Sequence, residues 1–508
     1  MPIAPVGSRA VGGDEHSLAV ALRVLLIARV ATGLYLVEVL LNLTRPRRLP
    51  DEPSLTILAR LPEISGSFGR LLATPRAVFW TVLAGILVGV ALQVYSMVRP
   101  VEENRAAAFA WLTAVAMVGP FALIPLTVMG SYPEIALACV PSTVSVLWLL
   151  HNSQRFARLP AAALVAAFGW GALVISGFTR ACNGLLYGAV NAYLIDPGQA
   201  AGVPTADVGT SLGAQLDVQE RALDILMLHH SVLSQLGVAG GVGALFLVLR
   251  RRVIDVVTGL VLGAAVGLGF AFSDSVLFVK LFGSLGLING ATGGFEYWIR
   301  QSVGLLGGPV AFGAVLGAGL GVAAQVRERR TRLGVVGAAL TAAIGGSMAT
   351  ETLSAWFSRL ADVEIGTALD TLVVSPALWL AVQVPFVVLA VLLLRAGRRG
   401  RAGAAQVAVA AEAAATESGA GGVVTAREVP FLVDPALRGW AVFGTWQRYG
   451  WSAAIALYRL QSAQLDVAGW RWQLWLRQGA GPAADGRTGQ LRAEAVRRRI
   501  AFARTGAS

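Results

Sequence analysis

The chain has 508 residues, 56% of them hydrophobic and 14% charged, with a mean hydropathy of +0.66. Soluble domains carry about 25% charged residues, so this composition excludes a water-soluble globular protein and places most of the chain in a bilayer. The net charge of +12 is almost all arginine, Lys280 being the only lysine. Two cysteines and four histidines exclude a disulfide framework, a cysteine-built zinc site and a histidine-rich metal centre.

Residues 1–16 are expected as a short disordered leader. The apolar run 17–42 is too long for a signal-peptide core and lacks a small-residue cleavage site, so it is expected as a retained span. Its Arg23, Arg29 and Glu38 should face other helices or snorkel. A polar, arginine-bearing connection over 43–76 precedes spans near 77–97, 106–129, 133–150 and 160–178. The breaks VRPVEENR and HNSQRFARLP suit the cytoplasmic side.

From 179 to 228 hydropathy falls and Asp196, Asp207, Asp217, Glu220 and Asp224 gather, as on an outer face. A span over about 231–249 ends in Arg250-Arg251-Arg252. Residues 253–321 then form the organising hairpin. Gly259, Gly263 and Gly267 recur every four residues in its first helix, and Gly313, Gly317 and Gly321 repeat the pattern in its second. That spacing puts each set on one face, where missing side chains let two backbones approach closely in lipid. RERRTR, a span at 333–357, the acidic loop ADVEIGTALD, a span at 371–394 and RAGRRGR complete the alternation. The pattern predicts an all-α polytopic membrane protein of about ten spans, with both termini cytoplasmic, in the plasma (inner) membrane.

Residues 397–428, rich in Ala, Gly and Val, are expected as a disordered linker between a core at 225–396, itself preceded by the N-terminal spans 1–224, and a tail at 429–508. The tail carries six of the thirteen tryptophans, and its apolar spacing predicts a cytoplasmic helical hairpin broken near 479–486. Its Trp and Arg residues could stack on single-stranded nucleic acid. Helix packing, or lying on an anionic leaflet, explains them with fewer assumptions, so no nucleic acid is expected.

No P-loop, dinucleotide fingerprint, HExxH or GxSxG motif is present. The polar groups that could carry chemistry cluster around the glycine hairpin: Asp274 at the end of its first helix, Glu296 and Arg300 one turn apart before its second, and Glu351 inside a later span. His229 and His230 stand at the mouth of the span beginning near 231. Such groups could hold a metal that lowers the pKa of bound water for hydrolysis. Adjacent histidines point about a hundred degrees apart on a helix, so one face offers only one of them. Ion pairs and helix caps at the outer face account for the same residues structurally.

The block GLVLGAAVGLGFAFSDS, then Arg300, then the second glycine-spaced helix, resembles the core of the PrsW-type intramembrane metalloproteases. Gly263, Gly267, Gly269, Phe270, Ala271 and Arg300 match that family's pattern, as do Gly317 and Gly321. The resemblance covers roughly 225–357 well and 430–505 loosely. It implies a metal-dependent peptide hydrolase, with zinc as the cofactor if active, but the chain departs where the chemistry should be. Asp274 replaces a glutamate and Ser275 an asparagine, and Gly308-Pro309 stand where a histidine should open the second helix. No carboxylate occupies 229–235, where paired glutamates belong, and the later helix has Thr350 and Glu351 but no histidine. If activity persists, the resemblance points to Asp274, Glu351 and Arg300 as catalytic residues and to His229, His230 and Asp274 as metal ligands. The reading with fewer coincidences is an impaired family member that binds transmembrane peptides or partner helices in the bilayer. A transporter using intramembrane carboxylates is the alternative, against which stands the lack of an internal repeat.

Overall fold

The computed structural model describes residues 8–43, 76–99, 102–154, 156–183, 232–249, 255–284, 297–360, 373–419, 421–476 and 482–506. Every regular element among them is a helix. The first is α1 (Ser8–Leu43), followed by α2 (Arg76–Val98) and α3 (Glu103–Val118). A tight turn at Gly119–Ala122 leads into α4 (Leu123–Ser131), and then come α5 (Pro133–Ser153) and α6 (Ala161–Gly169). Ten stretches among the described residues are long and apolar enough to cross a membrane, and they follow the hydropathy pattern closely. The fifth is longer than expected, reaching Asn183 through a wide π-helical turn at Trp170–Ile175.

The sixth stretch is α7 (Val232–Leu249). The glycine hairpin supplies α8 (Val256–Ser284) and α9 (Gly308–Gln325), which form the centre of the bundle. Of the most apolar window of each, 89% of α8 and 61% of α9 is buried inside the protein, against at most 39% for the other eight stretches. Lipid solvates the outer helices, so only side-chain-poor faces gain from packing this deeply. The glycines do what their spacing predicts. A Cβ added at Gly263 would overlap the carbonyl oxygen of Gly313, and one at Gly267 that of Pro309. Helices α10 (Arg329–Leu360) and α11 (Ser375–Glu417) pack against α9. A second core, with Tyr35 edge-on to Phe121 at 5.1 Å, joins α1, α2 and α3.

The stretch expected as a disordered linker from 397 is instead helical to Glu417, continuous with the last span. Its alanines favour helix, and burial of Ala405, Ala408, Val409 and Ala413 against the tail fixes it. The tail is helical, as α12 (Pro435–Leu476) and α13 (Pro482–Ala503), which pack on each other. Glu412 of α11, fully buried, anchors it by accepting from Arg471 Nη1 at 2.7 Å and Arg492 Nε at 3.1 Å. Glu412→Ala leaves two arginines without their acceptor and should loosen the tail. Limited proteolysis is expected to cut between α11 and α12 several-fold faster in that variant.

Candidate functional site

The polar residues converge towards the C-terminal end of α8, where Asp274 stands five residues before Val279, the last residue of its apolar stretch. Asp274 is buried between Ser273 and Ser275, also buried. Its Oδ2 lies 3.4 Å from Nη1 of Arg300. The guanidinium of Arg300 sits 4.3 Å from the ring centroid of Phe278, one turn beyond Asp274. A cation over an aromatic face and beside a carboxylate is held from two directions. The fold therefore brings together two of the expected site residues, Asp274 and Arg300.

Arg300 is carried by a second wide turn, the π-helical segment Ile299–Val303. Such turns often re-aim side chains at functional sites. Here the turn also delivers Gln301, whose Oε1 accepts from Ser142 Oγ of α5 at 2.7 Å. Tyr297 donates to the Ala138 carbonyl at 2.7 Å, fixing the start of the turn.

From the other side comes Arg180, buried near the end of the span that α6 begins. Its Nη2 donates to the Ser273 carbonyl at 2.6 Å, and Ser176 and Ser273 hydroxyls lie 2.9 Å apart. Sequence reasoning misses Arg180, because hydropathy ends the apolar run before it. Its signal is an arginine only two residues past that boundary. Gln383 of α11 is missed as well; it abuts Gly307 so closely that a Cβ there would collide with its side-chain oxygen.

The turn Gly307-Gly308-Pro309 is the place where the resemblance calls for a histidine. Gly308 has φ +48°, a backbone region that suits glycine. Next to it, the Pro309 carbonyl packs on Gly267 of α8. Pro309 therefore serves helix approach, and Gly308 serves the backbone turn.

Of the other expected site residues, His229, His230 and Glu296 lie outside the described residues. Glu351 stands on α10 beside Thr350, with its side chain outside them. Among the described residues, no three His, Cys, Asp or Glu side chains are grouped to hold a metal ion. The described donors therefore do not fit a zinc site: Asp274 supplies one carboxylate, and its partner is a cation.

Residues 238–390 match the family model described as the PrsW family intramembrane metalloprotease. This segment is similar to the PrsW family. The matched range takes in α8, α9, α10 and the first part of α11, so the Asp274–Arg300 pair lies within it. No curated protein and no solved structure matches the chain. The PrsW match makes a metal cofactor plausible.

Proposed function

We propose that this PrsW-family membrane protein binds a transmembrane peptide or partner helix beside Asp274 and Arg300 without hydrolysing it. The observation that carries this reading is the Gly307-Gly308-Pro309 turn. Where a ligand-bearing side chain is called for, the chain has a left-handed glycine and a proline whose carbonyl is pressed against Gly267. A histidine at 308 would strain the backbone, and a bulkier 307 would collide with Gln383. The Asp274 carboxylate, already engaged by Arg300, is suited to orienting a polar group of a bound helix. The arginine clusters at 250–252, 327–332 and 395–401 support cytoplasmic termini and residence in a plasma membrane.

The test uses the full-length protein in nanodiscs with a fluorescent single-span peptide. Saturable binding is expected, weakened about tenfold in Arg300→Ala, equivalent to about 1.4 kcal/mol. No new peptide termini should appear by mass spectrometry, and a chelator should leave binding unchanged. Chelator-sensitive cleavage that is lost in Asp274→Ala would overturn the proposal and restore the protease reading, with His229, His230 and Glu351 as the next residues to substitute.

A further inference from the structure

The tail ends in an aromatic tip that nothing among the described residues covers. Gly450, at φ 84° and ψ 178°, breaks α12 into two arms, Pro435–Tyr449 and Trp451–Leu476. Arg438 ties the arms together: its Nη2 donates to Ser462 Oγ at 3.0 Å and its guanidinium lies 5.2 Å from the Tyr458 ring centroid. Around the bend runs a row of rings, Trp440 to Phe443 at 5.8 Å, Phe443 to Trp446 at 5.5 Å and Trp446 to Trp451 at 6.0 Å. Residues 440, 443 and 446 share a helix face by their spacing. All four rings are exposed, Trp440 by 69% and Trp451 by 67%, and Tyr449 is exposed beside them.

The second arm has a packed side of its own, where Ala453, Ala454 and Leu460 are buried. The aromatic row is thus a separate face and not spare core. Scattered exposed apolar residues need no explanation, but a contiguous row does. Charge narrows the partner. Residues 435–460 contain Arg438, Arg448 and Arg459 and no acidic residue. Tryptophan and tyrosine settle at headgroup level in bilayers, and arginine there meets anionic lipid.

The tail is also positioned for such a surface. Helix α11 runs unbroken from the last span to Glu417. The far end of α12 touches the turn between two spans, with Gly469 against Ala157 and the Trp472 ring 5.6 Å from Phe156. From there the second arm extends about 30 Å to the bend at 1.5 Å per residue. We propose that α12 lies along the bilayer the chain itself spans, and that the Trp440–Trp451 tip docks into its anionic headgroups.

Spin labels on the full-length protein in nanodiscs of phosphatidylcholine and phosphatidylglycerol test this. The native Cys139 and Cys182 are buried, so a label introduced by Trp446→Cys reports the tip. That label should be several-fold more accessible to oxygen than to a water-soluble nickel chelate, and a second at Trp440→Cys should agree. A control label at the exposed Arg504→Cys should favour the chelate. Omitting phosphatidylglycerol should lower the tip's oxygen preference at least twofold. Equal chelate access at 446 and 504 would show a tip in water, and exclusion of both reagents would show a protein interface such as a second copy. A shift caused only by added RNA would point to nucleic acid; each of these three results overturns the proposal.

Discussion

Gly263→Leu should prevent the two glycine helices from closing and should be the most damaging single substitution in the chain. A Cβ at 263 meets the Gly313 carbonyl oxygen, which is backbone and cannot swing aside. The helices must separate, and α8 and α9 are the most buried pair in the bundle. Overpacking typically costs 1–3 kcal/mol and occasionally more. Here the whole interface is pushed apart, so a loss of at least about 3 kcal/mol is expected. Thermal unfolding in detergent, followed with size-exclusion profiles, measures it. Gly337→Leu is the control: Gly337 is exposed, and a Cβ added there would meet nothing within 4 Å. A variant at 263 that melts like the parent would refute the close-approach account of the glycine repeat.

Arg401→Ala should be the second most damaging change, for an electrostatic reason. Arg401 is buried on α11 and makes a two-pronged ion pair with Asp255, through Nε to Oδ2 and through Nη2 to Oδ1 at 2.7 Å. Its remaining donors reach Thr258 Oγ1 at 2.7 Å and the carbonyls of Gln154 and Phe156 at 3.2 and 2.7 Å. Asp255 meanwhile caps α8 by accepting from the Thr258 backbone N–H at 3.0 Å. One guanidinium thus joins α11, the turn after α5 and the start of the glycine helix. Removing one partner of such a pair costs about 3–5 kcal/mol, because the other charge stays buried without compensation. The double change Asp255→Asn with Arg401→Met should recover part of that loss.

The same cluster has a pH signature. Burial pushes the Asp255 carboxyl up, but Arg401 and Thr258 outweigh it and hold the group below the usual range. A depressed carboxylate contributes stability above its unfolded pKa of about 3.9 and loses it as pH falls through the folded value. Acid melting curves of the parent should therefore fall on the low-pH side. In Arg401→Ala, with burial left as the main influence, that dependence should shrink or reverse.

Much of this is legible along the chain. Span count and the glycine contact follow from hydropathy and four-residue spacing. Arg180 is not, because an arginine at the edge of an apolar run looks the same whether the helix stops before it or carries it inward. The helix through 397–417 is hidden for a related reason. An Ala-rich stretch suits a linker or a helix, and only the burial of Glu412 between Arg471 and Arg492 distinguishes them.

The sequence by itself determined that the protein is an all-α membrane bundle centred on two glycine helices, since lipid leaves a chain few ways to satisfy its backbone. Tertiary structure alone decided what the polar residues do. It set Asp274 against Arg300, pressed the Pro309 carbonyl onto Gly267, and closed Arg401 onto Asp255. Those outcomes depend on which groups from distant segments come within hydrogen-bonding reach, and spacing along one segment carries no record of that.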